Sequence, residues 1–335
     1  MTNGRRLLAI DGGGIKGVIP AAFLATVEDA TGKRIADHFD LIAGTSTGGI
    51  IALGLGLGLP ARDILDFYLE HGPRIFDQEP TLPSLFSRIT SLARGRARSA
   101  KQFFGPKYNA AALAASLQAV FGDRTLGDAG TRLVIPAFDR QRRELHVFKT
   151  AHHEKLVMDW RERAVDVALA TAAAPTYLPE HKLGSGVPLI DGGVWANNPT
   201  GLVVVEAIGV LNWSREDLHV LSLGCSEELS SFPENGGRAA LASKVADLFM
   251  AGQSRASLGT AKLLTGHTDA NRRLFRYTEV VPEGMFCLDA VGQIENLKGI
   301  GTSLARHALP EITPVFLGTP RDPFTPFRPS GTSKS

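Results

Sequence analysis

The feature that most constrains this chain is a five-residue turn, Gly44-Thr45-Ser46-Thr47-Gly48, set between two apolar runs. Phe39 to Ala43 has the length of a buried strand, while Ile50 to Leu59 is an apolar stretch suited to a buried helix. Glycine on both sides of the turn implies a backbone so tight that a Cβ would clash there. The central serine is then lifted out at the start of the helix. A chain with this junction is expected to build a layered α/β domain.

Two more glycine turns follow strand-like runs. Arg6 to Ile10 leads into Asp11-Gly12-Gly13-Gly14-Ile15-Lys16-Gly17, and Val18 to Thr31 then carries Ile19, Phe23, Leu24 and Val27 at helical spacing. Val187 to Ile190 leads into Asp191-Gly192-Gly193. Between them the pattern predicts a helix over Ala61 to Leu69, strands over Thr131 to Phe138 and Leu145 to Thr150, and a helix over Val165 to Ala174 stopped by Pro175. Asn198 is placed to cap a helix with Pro199 in its first turn, and Leu218 to Leu223 reads as a further buried strand. The sheet is therefore expected to lie within residues 1–225. Residues 226–319 are expected to be mainly helical, and 320–335 to form a flexible tail rich in Pro, Ser and Thr.

Composition narrows the function classes. Hydrophobic residues make up 44% of 335, enough for a sizeable core. With 36 basic and 34 acidic side chains the net charge is +2, which gives no bulk argument for binding DNA or RNA. Cys225 and Cys287 belong to no CxxC pair, and two cysteines make no disulfide framework, so a cytoplasmic protein is expected. The early apolar run stops at Asp11, and Ile50 to Leu59 is half the length a bilayer span needs, about 20 residues. Basic charge is local: between Pro80 and Gly122 lie Arg88, Arg94, Arg96, Arg98, Lys101 and Lys107 and no acid, which marks residues 80–122 as a cap or surface insertion.

Gly44 to Gly48 matches GxSxG in its strand-to-helix setting, which points to Ser46 as a nucleophile at a helix N-terminus, where developing negative charge is favoured. A serine turn that merely caps a helix is the plainer alternative. A hydroxyl needs a base. One scheme takes a late histidine, His219, His267 or His307, but several strands normally precede the turn in such hydrolases and only one or two fit before residue 44. The other takes Asp191, at the end of a strand, where ligand-facing groups gather in parallel sheets. The triple glycine after Asp11 serves either as a nest of N–H groups for an oxyanion or as a phosphate cradle, although it lacks the closing Lys-Ser/Thr pair of a P-loop.

Taken in this order, Asp11 to Gly17, Gly44 to Gly48 and Asp191 to Gly193 resemble the three signatures of the patatin-like phospholipase family. The resemblance runs over residues 5–225 and includes Thr171-Ala172-Ala173-Ala174-Pro175 and Asn197-Asn198-Pro199. It implies a three-layer α/β/α fold with a mainly parallel central sheet and a helical cap and C-terminal region. It also implies a Ser46–Asp191 dyad, an oxyanion hole from the amides of Gly12, Gly13 and Gly14, no cofactor and no metal. Members often carry arginine where this chain has Lys16, and a lysine makes no bidentate contact.

The implied substrate is a phospholipid, hydrolysed through an acyl-enzyme at a membrane surface. The basic insertion, with Leu82, Leu85, Phe86, Phe103 and Phe104 interleaved, is suited either to anionic headgroups or to a packed cap. The wider pattern resembles bacterial patatin-like effectors of anti-phage signalling, which a cyclic nucleotide switches on to degrade the inner membrane. Arg255, Lys262, His267, Arg272, Arg273 and Arg276 form a local basic set for such an activator, or an ordinary charged surface. A homo-oligomer is a further expectation. The alternatives are a constitutive lipid esterase and a nucleotide-binding module whose glycine loop holds phosphate.

Overall fold

The computed structural model describes residues 4–76, 110–229, 238–282, 285 and 291–327. Five parallel strands make the centre of its sheet, in the order β3 (Arg132–Asp139), β2 (Leu41–Gly44), β1 (Arg5–Ile10), β7 (Leu218–Leu229) and β8 (Leu274–Pro282). Three antiparallel strands complete it at the β3 side: β4 (Glu144–Lys149), β5 (His181–Lys182) and β6 (Pro188–Asp191).

Both faces of the sheet are dry at β1, β2 and β3, and period-2 alternation distributes the side chains of the central strands between two cores. Leu8, Ile10, Ile42, Leu133, Ile135, Leu221 and Leu223 enter one core. Helices α1 (Val18–Thr31), α2 (Thr47–Gly56), α3 (Ala61–Phe76), α4 (Ala110–Phe121), α5 (Ala164–Thr171) and α9 (Ile294–Phe316) cover that face. Leu7, Ala9, Leu41, Ala43, Val134 and Val220 enter the other, under α7 (Thr200–Gly209) and α8 (Arg238–Thr265). A four-residue helix, α6 (Gly193–Ala196), follows β6. This is the expected three-layer α/β/α fold.

Several expectations shift in detail. The helix from Ala61 continues to Phe76 with Pro73 inside it, and the helix before Pro175 stops at Thr171. Strand β8 adds an outer parallel strand from the C-terminal third, which was expected to be mainly helical. The expected flexible tail is pinned as far as Phe327. Arg321 N–H donates to Asp37 O (2.7 Å), Arg321 Nε to Ala36 O (2.9 Å) and Phe327 N–H to Ala151 O (2.7 Å). Of the expected basic insertion, Ala110–Phe121 forms α4, while Arg88, Arg94, Arg96, Arg98, Lys101, Lys107 and the interleaved apolar residues lie outside the described residues, as does Cys287.

The register of β3 sets up the site. At Val134 this strand pairs with both β2 and β4, and at Ala137 with both β4 and β6, so β2 and β6 share the edge opposite β4. β2 runs parallel to β3 and β6 antiparallel, hence their C-terminal ends meet head-on beside Pro136. Asp191 was expected at the end of a parallel strand. It instead ends a reversed one, and only that reversal brings it to the end of β2.

Candidate active site

Ser46 sits in the tight turn between β2 and α2 with φ 56° and ψ −123°, a left-handed backbone that side chains rarely adopt. Such a conformation costs on the order of 1–3 kcal/mol and survives only where its surroundings enforce it. They do so here. A Cβ on Gly44 would strike the Gly48 carbonyl, and one on Gly48 would strike the Ile10 carbonyl, so the flanking glycines are required by backbone on backbone. Thr47 behind the turn is tied to α3, where Tyr68 hydroxyl donates to Thr47 O at 2.8 Å and accepts from Thr47 Oγ1 at 2.6 Å.

Ser46 Oγ donates to Asp191 Oδ2 at 2.7 Å. The other carboxylate oxygen, Oδ1, accepts the Gly193 N–H at 2.6 Å. Burial pushes the Asp191 carboxyl up to about 6 from its ordinary 3.8, against the Ser46 and Gly193 hydrogen bonds that favour the charged form. This is the direction a general base needs to work near neutrality.

Thr171 holds the two halves together. Its Oγ1 accepts the Ser46 N–H at 3.0 Å and donates to Pro136 O at 2.6 Å, while its carbonyl accepts the Gly192 N–H at 3.3 Å. Pro136, which has no N–H, thus places only a carbonyl at the gap where the β3 edge passes from β2 to β6. A Cβ on Gly192 would run into that same carbonyl.

The glycine loop after β1 packs directly against this pair. A Cβ on Gly12 would collide with Asn197 Oδ1 and lie 3.1 Å from Ser46 Cβ, and one on Gly13 would lie 2.6 Å from Cys225 Sγ. Gly14 has φ 59°, a position that favours glycine, and opens a single 3-10 turn, Gly14–Gly17, which holds the buried Lys16. The Gly12 N–H donates to Asn197 O at 2.9 Å and is therefore engaged, unlike the expectation that all three glycine amides face the site. Among the described residues, the N–H groups of Gly13 and Gly14 have no such acceptor.

A model of the family described as patatin-like phospholipase matches residues 8–204, which contain Ser46, Asp191, Thr171, Asn197 and the glycine loop. The chain belongs to the patatin-like phospholipase family. A protein of Pseudomonas aeruginosa named cGAMP-activated phospholipase is 37% identical over 220 residues, covering 65% of this chain and 61% of that one. One of the same name from Vibrio cholerae is 34% identical over 252 residues, covering 70% and 68%. Patatin-like protein 2 of Arabidopsis thaliana is 38% identical over 232 residues, covering 63% and 54%. This chain thus spans less than two thirds of the length of the Pseudomonas and Arabidopsis relatives.

No late histidine reaches this patatin-type site. His219 lies opposite Arg6 at the other end of β1 and faces Arg273, His267 accepts the N–H groups of Arg273 and Leu274 ahead of β8, and His307 bonds Ser303 O on α9. The basic set expected to hold an activator is also divided. Arg276 is spent on Asp11, donating through both terminal nitrogens at 2.9 and 2.6 Å, with further bonds to Ser222 and Glu227. Burial works against its charge, but Asp11 and Glu227 outweigh that and raise its pKa. Arg272 pairs with Glu311. Burial, then the charges of Lys262 and Arg272, hold His267 below its ordinary pKa, and the His267 N–H donates to Lys262 O at 3.0 Å, ahead of β8 at the end of the sheet remote from Ser46. Arg255 lies two turns before Lys262 on the exposed side of α8.

The Asp11–Arg276 fork is the feature that sequence reading did not find. It spans 265 positions and fixes the first residue of the glycine loop to β8, so no local pattern announces it. Gln253 is a second such residue. Its Oε1 accepts Asn197 N–H at 2.9 Å, and its Nε2 donates to Gly193 O at 3.1 Å.

Proposed function

We propose that Ser46 and Asp191 are the catalytic dyad of a phospholipid acyl hydrolase. The observation that carries the reading is the 2.7 Å hydrogen bond from Ser46 Oγ to a buried carboxylate, made with no histidine between them. Asp191 Oδ2 takes the hydroxyl proton as Oγ attacks the ester carbonyl. The N–H groups of Gly13 and Gly14, with the N-terminus of α2, receive the charge that develops on the carbonyl oxygen. The tetrahedral intermediate collapses to an acyl-enzyme, and Asp191 returns its proton to the leaving alcohol. A water then enters, gives a proton to Asp191 and adds to the acyl carbonyl, and the fatty acid departs as Ser46 recovers its hydrogen.

Relatives named cGAMP-activated phospholipase support a second layer. A cyclic nucleotide switches the enzyme on, the enzyme works peripherally at the inner membrane, and hydrolysis of membrane lipid serves anti-phage defence. Lys262, Arg272 and Arg273, with His267 as a neutral neighbour and Arg255 two turns earlier on α8, are the groups that would meet the phosphates. Among the described residues no helix is long and apolar enough to cross a membrane.

Purified protein is to be mixed with phospholipid vesicles, with and without cGAMP, and with a fluorophosphonate probe. The expected results are fatty-acid release that cGAMP increases, probe labelling at Ser46, and a drop of at least 10³-fold in ester turnover in a folded Ser46→Ala variant. Near-normal turnover in that variant overturns the dyad. Release unchanged by cGAMP leaves a constitutive lipase.

A further inference from the structure

Among the described residues, helix α8 is held to the protein by a row of side chains from Gln253 to Ala261. Gln253 meets Gly193 and Asn197, Ser254 Oγ accepts from Asn198 Nδ2 at 3.0 Å, and Ser257 Oγ accepts the Gly201 N–H at 2.8 Å and donates to Asn198 O at 2.7 Å. Ala261 enters the core below them. These contacts follow the chain from α6 into α7 in register, 253 beside 193 and 197, then 254 beside 198, then 257 beside 201. Residues of α8 ahead of Gln253 therefore extend past the strand ends on the side where the dyad lies.

Three apolar side chains near this end are exposed. Leu248 is 50% exposed and Phe249 is 68% exposed, and Val194, three residues beyond Asp191, is 46% exposed. Scattered exposed leucines are ordinary, but Phe249 lies one turn before Gln253, which bonds the residue next to Val194, and an aromatic with two aliphatic side chains exposed on these neighbouring elements calls for a partner. The charge on the helix names its chemistry. From Arg238 to Thr265 the helix sequence has four cations, Arg238, Lys244, Arg255 and Lys262, against one acid, Asp247. Leu248 and Arg255 are seven residues apart, hence on one face and about 10 Å apart along the axis. This matches a bilayer interface, where apolar side chains enter about 5–10 Å and cations remain at the phosphates.

We propose that the Leu248–Phe249 end of α8, with Val194, is the surface on which the protein seats itself on an anionic phospholipid bilayer, Arg255 lying at the phosphate level. The dyad mouth then faces the lipid, and a substrate molecule enters without crossing water. The inference rests on the phospholipase reading of Ser46 and Asp191 and adds where the bilayer sits.

The test uses flotation with vesicles of phosphatidylcholine, and of phosphatidylcholine with one quarter phosphatidylglycerol, in a Ser46→Ala background so that the lipid stays intact, with and without cGAMP. The parent is expected to float with the anionic vesicles. A Leu248→Ser/Phe249→Ser variant is expected to lose at least tenfold in binding, and Arg255→Glu about tenfold on anionic vesicles alone. With Ser46 restored, the double serine variant should still hydrolyse a soluble short-chain ester while losing vesicle hydrolysis. Equal flotation of parent and variants, or a parent that does not float, overturns the proposal. So does a dimer, seen by light scattering, that the double variant dissociates, since a second copy would then own the face. A protein that binds vesicles through this face yet hydrolyses neither ester nor lipid refutes the reading of the dyad instead.

Discussion

Burial of the Asp191 carboxyl carries a cost in stability and, with Asp191 as the proposed base, sets the pH dependence of the chemistry. Below about pH 3 the group is protonated in the folded and the unfolded chain alike. As pH rises through about 6 the folded protein must hold a buried carboxylate, so the stability this group allows at low pH is lost. Asp191→Asn is expected to be more stable than the parent at pH 8, by roughly 1–3 kcal/mol, and to lose that advantage at about pH 3. Urea denaturation at the two pH values measures this, and a difference that does not change with pH refutes the assignment. In the parent, ester hydrolysis should rise through pH 6 as the carboxylate forms. Ser46 and Asp191 were both legible as residues, because tight turns demand glycine and glycine marks them in the sequence. Thr171 was visible only within a familiar run, since a threonine before three alanines says nothing of the two hydrogen bonds its hydroxyl makes.

At the scale of elements, β8 and the glycine loop form one unit through the Asp11–Arg276 fork. Both groups are largely buried, and breaking a buried pair from one side leaves an uncompensated charge at a cost of about 3–5 kcal/mol. Arg276→Ala is expected to lose stability on that scale. Arg276→Lys, which keeps charge but not the two-pronged contact, should fold and lose at least tenfold in ester turnover as the loop drifts. Denaturation and steady-state kinetics on both variants decide this, and an Arg276→Ala protein as stable as the parent removes the fork from the account. Sequence reading grouped Arg276 with phosphate-binding cations because a cation is read by its type. Its partner, 265 positions away, decides its use. Strand β8 escaped notice for a related reason: a single edge strand far from its β7 partner carries no turn that ties the two together.

Across the whole molecule the end of the chain closes the base of the sheet. Residues Arg321 and Phe327 bond to the backbone before β2 and after β4, at the end remote from Ser46, and Arg321 also donates to Gly130 O. Deletion from Pro320 onward should lower Tm by about 5–10 °C, as losing a few backbone-anchoring hydrogen bonds does in a protein of this size, and leave soluble-ester kcat within twofold. A truncated protein with unchanged Tm shows the strap to be idle. The three glycine turns, the apolar strands and the helix after Ser46 were determined by the sequence itself, because backbone crowding and the alternation of buried side chains act over a few residues. The meeting of Ser46 with Asp191 was decided by tertiary structure. It depends on β6 running backward along the edge that β2 vacates at Pro136, and the direction of a strand is set by its partners rather than by its own residues.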